Sequence, residues 1–303
     1  MFEPLLIASY NTRWACNARG EVDTSRIARA ISANGAPDVV CLQEVSVGPT
    51  GLQGTDHAPN QVAEYLRHFP EHRGFFAPSV SRTFKGKPAH FGNLTLTRLP
   101  AEQVRYETLP SPLDDSDKPW LPRNAIVTTL VHESIRFTVL NTHLEYYNPQ
   151  QRWQQAQYLR DLCASLQKDA PPVFDPQEQD QQTDPIFLRG QPGCPLIICG
   201  DLNCTPESEE IQTLCNGIEG LPTTLNNVWS TLEKPRTAIQ TVGLHDGYDW
   251  PDHAYCCDYF IMSESLMPNL VEAWVDTETD ASDHQPIFMR LNANPHEEPP
   301  AFI

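Results

Sequence analysis

Six short apolar runs, each abutted by Asn, Glu, Asp or His, limit the folds open to this chain more than any other feature. Leu5-Leu6-Ile7-Ala8-Ser9-Tyr10 leads into Asn11, and Asp38-Val39-Val40-Cys41-Leu42 into Gln43-Glu44. Phe137-Thr138-Val139-Leu140 leads into Asn141-Thr142-His143, and Leu196-Ile197-Ile198-Cys199-Gly200 into Asp201-Leu202-Asn203. Near the end the order reverses. Asp258 precedes Tyr259-Phe260-Ile261-Met262, and Ser282-Asp283-His284 precedes Gln285-Pro286-Ile287-Phe288-Met289. Each run is too brief for a helix and has the apolar continuity of a strand buried on both faces. If the last two strands run antiparallel to the first four, these polar groups meet along one rim. Strand ends are polar in most proteins, but here the end groups are restricted to metal-binding and acid–base side chains.

Helical patterns fall between the strands. Asp23 or Thr24 can cap a helix to about Asn34, with Ile27 and Ile31 inward, and Asn60 another, with Val62, Ala63, Leu66 and Phe69 inside. Asn148 followed by Pro149 starts a longer one, burying Trp153, Ala156, Leu159, Leu162, Cys163 and Leu166; Thr205 and Pro206 repeat the device before a helix ending near Gly217. With hairpin-like segments at Gly92 to Thr97 and Ile126 to Phe137, the expectation is an α/β (α+β) four-layer sandwich, two packed mixed sheets flanked by helices. No domain boundary or internal repeat interrupts residues 1–303, a length one α/β domain can reach. The 28 prolines imply rigid connections and few long helices. Residues 167–194, loaded with Gln, Asp and Pro, are either a disordered loop or a lid beside the site.

Charge narrows the partners. Against 39 Asp and Glu stand 21 Lys and Arg, a formal net charge of −18. Coating extended duplex DNA rests on many basic side chains, so that role is disfavoured, whereas one phosphate in a metal-lined pocket is compatible. No apolar run reaches the ~18 residues of a membrane span, and Met1-Phe2-Glu3-Pro4 lacks the basic-then-apolar layout of a signal peptide. The expectation is a cytoplasmic monomer. The nine scattered cysteines read as small buried hydrophobes in a reducing compartment.

Ser9-Tyr10-Asn11, Leu42-Gln43-Glu44, Asn141-Thr142-His143-Leu144, Gly200-Asp201-Leu202-Asn203, Asp258-Tyr259 and Ser282-Asp283-His284 occur in the order found in the endonuclease/exonuclease/phosphatase superfamily. The chain resembles that family over nearly its whole length. The resemblance implies a DNase I-like fold and phosphoester hydrolysis with Mg²⁺, Mn²⁺ being the alternative. It implies that Glu44 and Asp283 hold the metal as hard carboxylates, with the Asn11 amide beside them. It also implies that Asp201 holds or activates the attacking water and that Asn203 orients it. His284, paired with Asp258, either takes the water's proton or, charged, binds the phosphate. His143 contacts the phosphate or helps the leaving group.

Weaker candidates for substrate binding are Arg123, whose fork suits phosphate but which also reads as a surface arginine, Asn93, more readily read as a turn residue, and His253. The last belongs to the segment His245-Asp246-Gly247-Tyr248-Asp249-Trp250-Pro251-Asp252-His253, a pocket wall or a surface loop. Cys256-Cys257 has no basic neighbour in sequence to stabilise a thiolate. Cys257-Asp258-Tyr259-Phe260 departs from the Trp-x-Asp-Arg of inositol 5-phosphatases. Tyr10 stands where the tyrosyl-DNA phosphodiesterase branch has tryptophan, so the sub-family stays open. The expected activity is that of a phosphodiesterase on a small, lipid-linked or short nucleotide ester, with a DNA or RNA nuclease as rival. A non-catalytic binding protein is disfavoured, since every expected site residue is present.

Overall fold

Twelve strands and four helices are seen among the residues that the computed structural model describes, namely 4–52, 59–113, 117–133, 135–167, 193–217, 224–232, 239–245 and 253–292. Most of the Gln/Asp/Pro-rich connector, and with it the lid expectation, lies outside them, as do residues 246–252. The strands are β1 (Leu5–Asn11), β2 (Val39–Val47), β3 (Arg73–Phe84), β4 (Lys87–Thr97), β5 (Ala101–Thr108), β6 (Asn124–His132), β7 (Ile135–His143), β8 (Leu196–Asp201), β9 (Leu225–Asn227), β10 (Asp258–Ser263), β11 (Leu270–Val275) and β12 (Ile287–Leu291). The helices are α1 (Thr24–Ala33), α2 (Gln61–His68), α3 (Pro149–Gln167) and α4 (Glu209–Cys215).

The strands form two six-stranded mixed sheets, ordered β11-β12-β1-β2-β4-β3 and β5-β6-β7-β8-β10-β9. Strands β1 and β2 are parallel, as are β7 and β8, while β12 pairs antiparallel with β1 and β10 with β8. That is the reversal needed to bring the polar strand ends to one rim. The central strands β1, β8 and β10 are buried along their full length, as their unbroken apolar runs require. Ile7, Val39 and Cys41 of the first sheet pack with Val139, Leu196 and Ile198 of the second in the core between them.

Helices cover the outer faces. Helix α1, capped by Asp23 accepting from the Ser25 amide, places Ile27 and Ile31 against Ala8, Tyr10, Val40 and Leu42. In α2, capped by Asn60 as expected, Tyr65 and Gln61 are buried, whereas Val62, Ala63 and Leu66 are only partly so. Helix α3 starts at Pro149 as expected, but Trp153 stays partly exposed. Helix α4 begins later than the Thr205-Pro206 pair suggests. Ser208 caps it, its Oγ accepting from the Ile211 amide, while Thr205 takes the Ser208 amide in the preceding turn. All nine cysteines are free and eight are buried, consistent with packing roles.

Candidate active site

Sheet register builds the first row of the site. His143 of β7 pairs with Asp201 of β8, and Asp201 pairs with Asp258 of β10, so three functional side chains sit abreast on adjacent strands. Gly200 allows that approach. A Cβ there would lie 1.9 Å from the Thr142 carbonyl oxygen, and its φ of +135° suits glycine.

Strand β2 supplies Glu44 by an irregularity. Leu42 pairs with Leu94 and Val45 with Gly92, so Gln43 and Glu44 together oppose the single residue Asn93. This is a β-bulge, and Glu44 takes a left-handed φ of 60° within it. Simple alternation would point Glu44 with Val40 and Leu42 toward the helix-covered face. The extra residue hands that position to Val45 and turns Glu44 to the rim.

The segment before β12 is fixed from two sides. The Ser282 hydroxyl donates to the Asn11 carbonyl (2.9 Å), and the Gly243 amide to the Asp283 carbonyl (2.9 Å). His284 then lies between two carboxylates, its Nδ1 2.9 Å from Asp258 Oδ2 and its Nε2 3.6 Å from Asp201 Oδ2. Burial works against charging this ring, but Asp258 and then Asp201 overcome it, and its pKa stands well above the usual value. His143 is driven the other way: burial, then the charges of Arg123 and His284, hold its pKa well below the usual value. A neutral ring agrees with its contacts, since Asn203 Nδ2 donates to His143 Nε2 (2.9 Å), which leaves the proton on Nδ1, 4.0 Å from Glu44 Oε1. The surroundings thus push the two histidines of the site in opposite directions, His284 toward the charged ring and His143 toward the neutral one.

Asp201 is the hub. Its Oδ1 accepts from the Asn203 amide (2.9 Å) and its Oδ2 from Asn11 Nδ2 (2.9 Å). Its pKa is pushed up to about 6, chiefly by burial, with Asp258 adding and His284 opposing. Asn203, at φ 51°, also lies in the left-handed region, as Glu44 does. The Glu44 carboxyl is pushed up to about 7 by burial and by Asp283.

The donor chemistry fits a divalent cation. Glu44 and Asp283 repel one another across the cleft floor, and both offer the hard oxygens that Mg²⁺ and Mn²⁺ take. Asn11 stands differently from a metal ligand here: its Oδ1 accepts from the Arg13 amide (3.1 Å) and its Nδ2 faces Asp201 and Glu44. Asp201, Cys257 and His284 also approach closely enough to surround an ion. In that set, however, burial and then Asp258 raise the Cys257 thiol well above its usual pKa, and Sγ lies 3.4 Å from Asp258 Oδ2 as a donor.

Of the weaker candidates, Arg123 is neither on the surface nor loose. It is 5% exposed, ion-paired to Glu145 at 3.4 Å, and borders the cleft. Asn93 is not in a turn. It is buried in β4, its amide donating to Asn124 Oδ1 (2.9 Å), and it is not among the residues lining the cleft. His253 is exposed, 6.5 Å from Tyr255 between ring centroids, and is also outside the cleft lining. Asn141 turns away from the rim: its amide donates to the Leu94 carbonyl (3.0 Å) and accepts from Gln43 Nε2 (2.8 Å), tying the two sheets together. Glu145, Trp120, Tyr146 and Tyr147 escaped the sequence reading. Their signals were the Pro-Trp-Leu-Pro run before Arg123 and the tyrosine pair just past His143.

The cleft holds about 950 Å³. Two sheets that place carboxylates, amides and two histidines around it form the DNase I-like architecture of phosphoester hydrolases. The model of the Endonuclease/Exonuclease/phosphatase family matches residues 8–284, and the chain belongs to that family, whose members generally depend on divalent metals. No curated protein matches it by sequence. Among solved structures it is similar to an endonuclease/exonuclease/phosphatase from Beutenbergia cavernae, with 20% identity and a TM-score of 0.64 over 95% of this chain and 71% of that one. The human Nocturnin catalytic domain with bound sulfate aligns at 18% identity and a TM-score of 0.57, covering 95% and 92%. A mannosyl-6-phosphatase from Bacteroides thetaiotaomicron aligns at 17% and 0.64, covering 94% and 98%. At these identities the likeness is one of fold. Among the described residues no helix is long and apolar enough to cross a membrane.

Proposed function

We propose that this chain is a Mg²⁺- or Mn²⁺-dependent phosphodiesterase acting on a small, lipid-linked or short nucleotide ester. The observation that carries the reading is the pair of histidines flanking Asp201, His143 Nε2 at 3.4 Å and His284 Nε2 at 3.6 Å from its Oδ2, beside the Glu44 and Asp283 carboxylates in one cleft. A phosphodiester anion resists attack by water, so its hydrolysis needs a base for the water, neutralised charge and a stabilised leaving oxygen. Glu44 and Asp283 would hold the cation, which supplies Lewis-acid neutralisation of the phosphate charge.

The chain's own groups divide the rest. Asp201, with its acidity shifted toward neutral pH and both oxygens oriented by Asn11 and Asn203, takes the proton of the attacking water. His284, kept cationic between Asp258 and Asp201, binds a phosphoryl oxygen rather than serving as base. Asn203 fixes the tautomer of His143, whose Nδ1 proton is then available to an oxygen of the ester. Arg123, held by Glu145 in the cleft wall, adds positive charge without leaving its ion pair.

Cleavage of bis-p-nitrophenyl phosphate tests the reading: it is expected with Mg²⁺ or Mn²⁺ and abolished by EDTA. Absence of turnover with either metal would overturn it. A nuclease acting on long polyanions is the weaker reading, because the net charge of −18 repels them.

A further inference from the structure

Large hydrophobic side chains that remain exposed are few in the described structure: Tyr106, Leu113, Trp120, Tyr146 and Tyr147. Three of these five, Trp120 (46%), Tyr146 (43%) and Tyr147 (41%), line the catalytic cleft. Hydrophobic exposure concentrated at an active site marks contact with a ligand rather than chance. We propose that Trp120, Tyr146 and Tyr147 form a stacking seat for the nucleobase of a short nucleotide ester whose phosphate lies at His143, Asp201 and His284. This deepens, and rests on, the phosphodiesterase reading by choosing among its substrate classes.

The seat is built in advance of binding. Trp120 Nε1 donates to the Ser111 carbonyl (3.1 Å), and Pro119 and Pro122 on either side restrict the backbone φ of the flanking chain. The Tyr146 carbonyl accepts from Arg152 Nη1 (3.0 Å), the Tyr147 carbonyl from Lys118 Nζ (3.1 Å), and the Tyr147 amide donates to Glu145 Oε1 (2.7 Å). The tyrosine rings stand edge to face, centroids 4.8 Å apart and planes at 84°, so they meet without stacking face to face on one another. Ordered platforms of this kind lose little freedom when a planar base settles on them. Tyr146 lies only three residues beyond His143 in the chain, which ties the seat to the reacting phosphate.

The chemistry favours a base over an acyl chain. A fatty chain is best served by a continuous aliphatic groove, but the cleft lining also includes Arg82, His90, Ser79 and Ser81. These polar groups suit a ribose and a second phosphate. The net charge of −18 also opposes approach to an anionic bilayer. A cleft of about 950 Å³ has room for a dinucleotide.

The test uses the Mg²⁺-loaded protein and two readouts. AMP binding is measured by isothermal titration calorimetry, and kcat/KM is measured for the dinucleotide ApA and for glycerophosphocholine, an ester without a ring. Trp120→Ala should weaken AMP binding roughly 5- to 100-fold, the range for one lost base–aromatic stack. It should lower the ApA to glycerophosphocholine ratio of kcat/KM by a similar factor, mainly through KM, and Trp120→Phe should restore most of it. Tyr147→Ala should act in the same direction. Preference of the wild type for glycerophosphocholine or short-chain phosphatidylcholine over ApA would overturn the proposal, as would an unchanged ratio in Trp120→Ala. Binding of AMP lost in Trp120→Ala, together with no hydrolysis of any ester, would sustain the seat while sinking the catalytic reading.

Discussion

His284 and Asp258 form a buried charge pair, Nδ1 to Oδ2 at 2.9 Å, across 26 residues of chain. Asp258 is anchored in turn: its amide donates to Thr241 Oγ1 (3.0 Å) and its carbonyl accepts from Trp229 Nε1 (2.9 Å). The orientation of the ring is thus set by the backbone of β10. His284→Ala should lower turnover roughly 10²- to 10⁴-fold, the range for a lost acid–base or charge-stabilising group. Asp258→Asn should move activity the same way, since the amide cannot hold the ring's charge. Rates on bis-p-nitrophenyl phosphate at saturating metal provide the check, and full activity in His284→Ala would show that the wrong histidine has been assigned.

Metal dependence should be concentrated in Glu44. Glu44→Gln keeps the shape and removes one of the hard anionic oxygens that offset a divalent charge. The metal concentration giving half-maximal activity should rise at least about tenfold. The increase in melting temperature that Mg²⁺ gives the wild type should shrink in the variant. An identical metal titration for both proteins would place the cation elsewhere.

Gly200→Ala should damage both fold and chemistry. The new methyl would press on the Thr142 carbonyl at a distance real side chains do not reach. A destabilisation of about 1–3 kcal/mol, typical of overpacking, is expected in urea unfolding. Activity should fall further than stability, because the strand contact being forced apart is the one that sets His143 beside Asp201.

A histidine far from the cleft should make stability sensitive to acid. His72 donates through Nε2 to the Pro37 carbonyl (2.9 Å), and its Nδ1 is buried without a hydrogen-bond partner. Burial, reinforced by Arg98 and opposed by Asp38 and Glu71, lowers its pKa below the usual value near 6.5. The unfolded chain therefore binds more protons as pH falls past that value. Its contribution is complete above about pH 6.5 and declines as pH drops toward the folded pKa. His72→Gln, which can still donate to Pro37, should show a weaker loss of stability over that interval in chemical denaturation followed by circular dichroism.

Much of this arrangement was legible in the chain because buried strands and polar strand ends leave a local signature. The runs at Leu5, Val39, Phe137, Leu196, Tyr259 and Ile287 all became strands, and their direction brought Glu44, His143, Asp201, Asp258, Asp283 and His284 to one cleft or its wall. What stayed hidden depended on register and side-chain direction. Alternation along β2 would turn Glu44 outward, and only pairing with β4 exposes the extra residue. Asn141 has the same local look as the rim residues, yet its partners are Leu94 and Gln43, distant in sequence. The Pro-Trp-Leu-Pro run marks Trp120, but its role depends on its bond to Ser111 and on sharing the cleft with the tyrosine pair, which no single window of sequence contains.

The bulge at Gln43 and Glu44 makes the strand sensitive to its residue count, not only to its residue types. Removing one residue there would leave an apolar, strand-forming segment that pairs with β4 without interruption. Val45 and the residues after it would keep their partners on β4 and their faces, but the one residue left opposite Asn93 would point with Cys41 between the sheets, and β2 would no longer turn a carboxylate to the rim. Substitution at this point can be graded, but a deletion is all or nothing: the sheet can tolerate it and the cleft cannot.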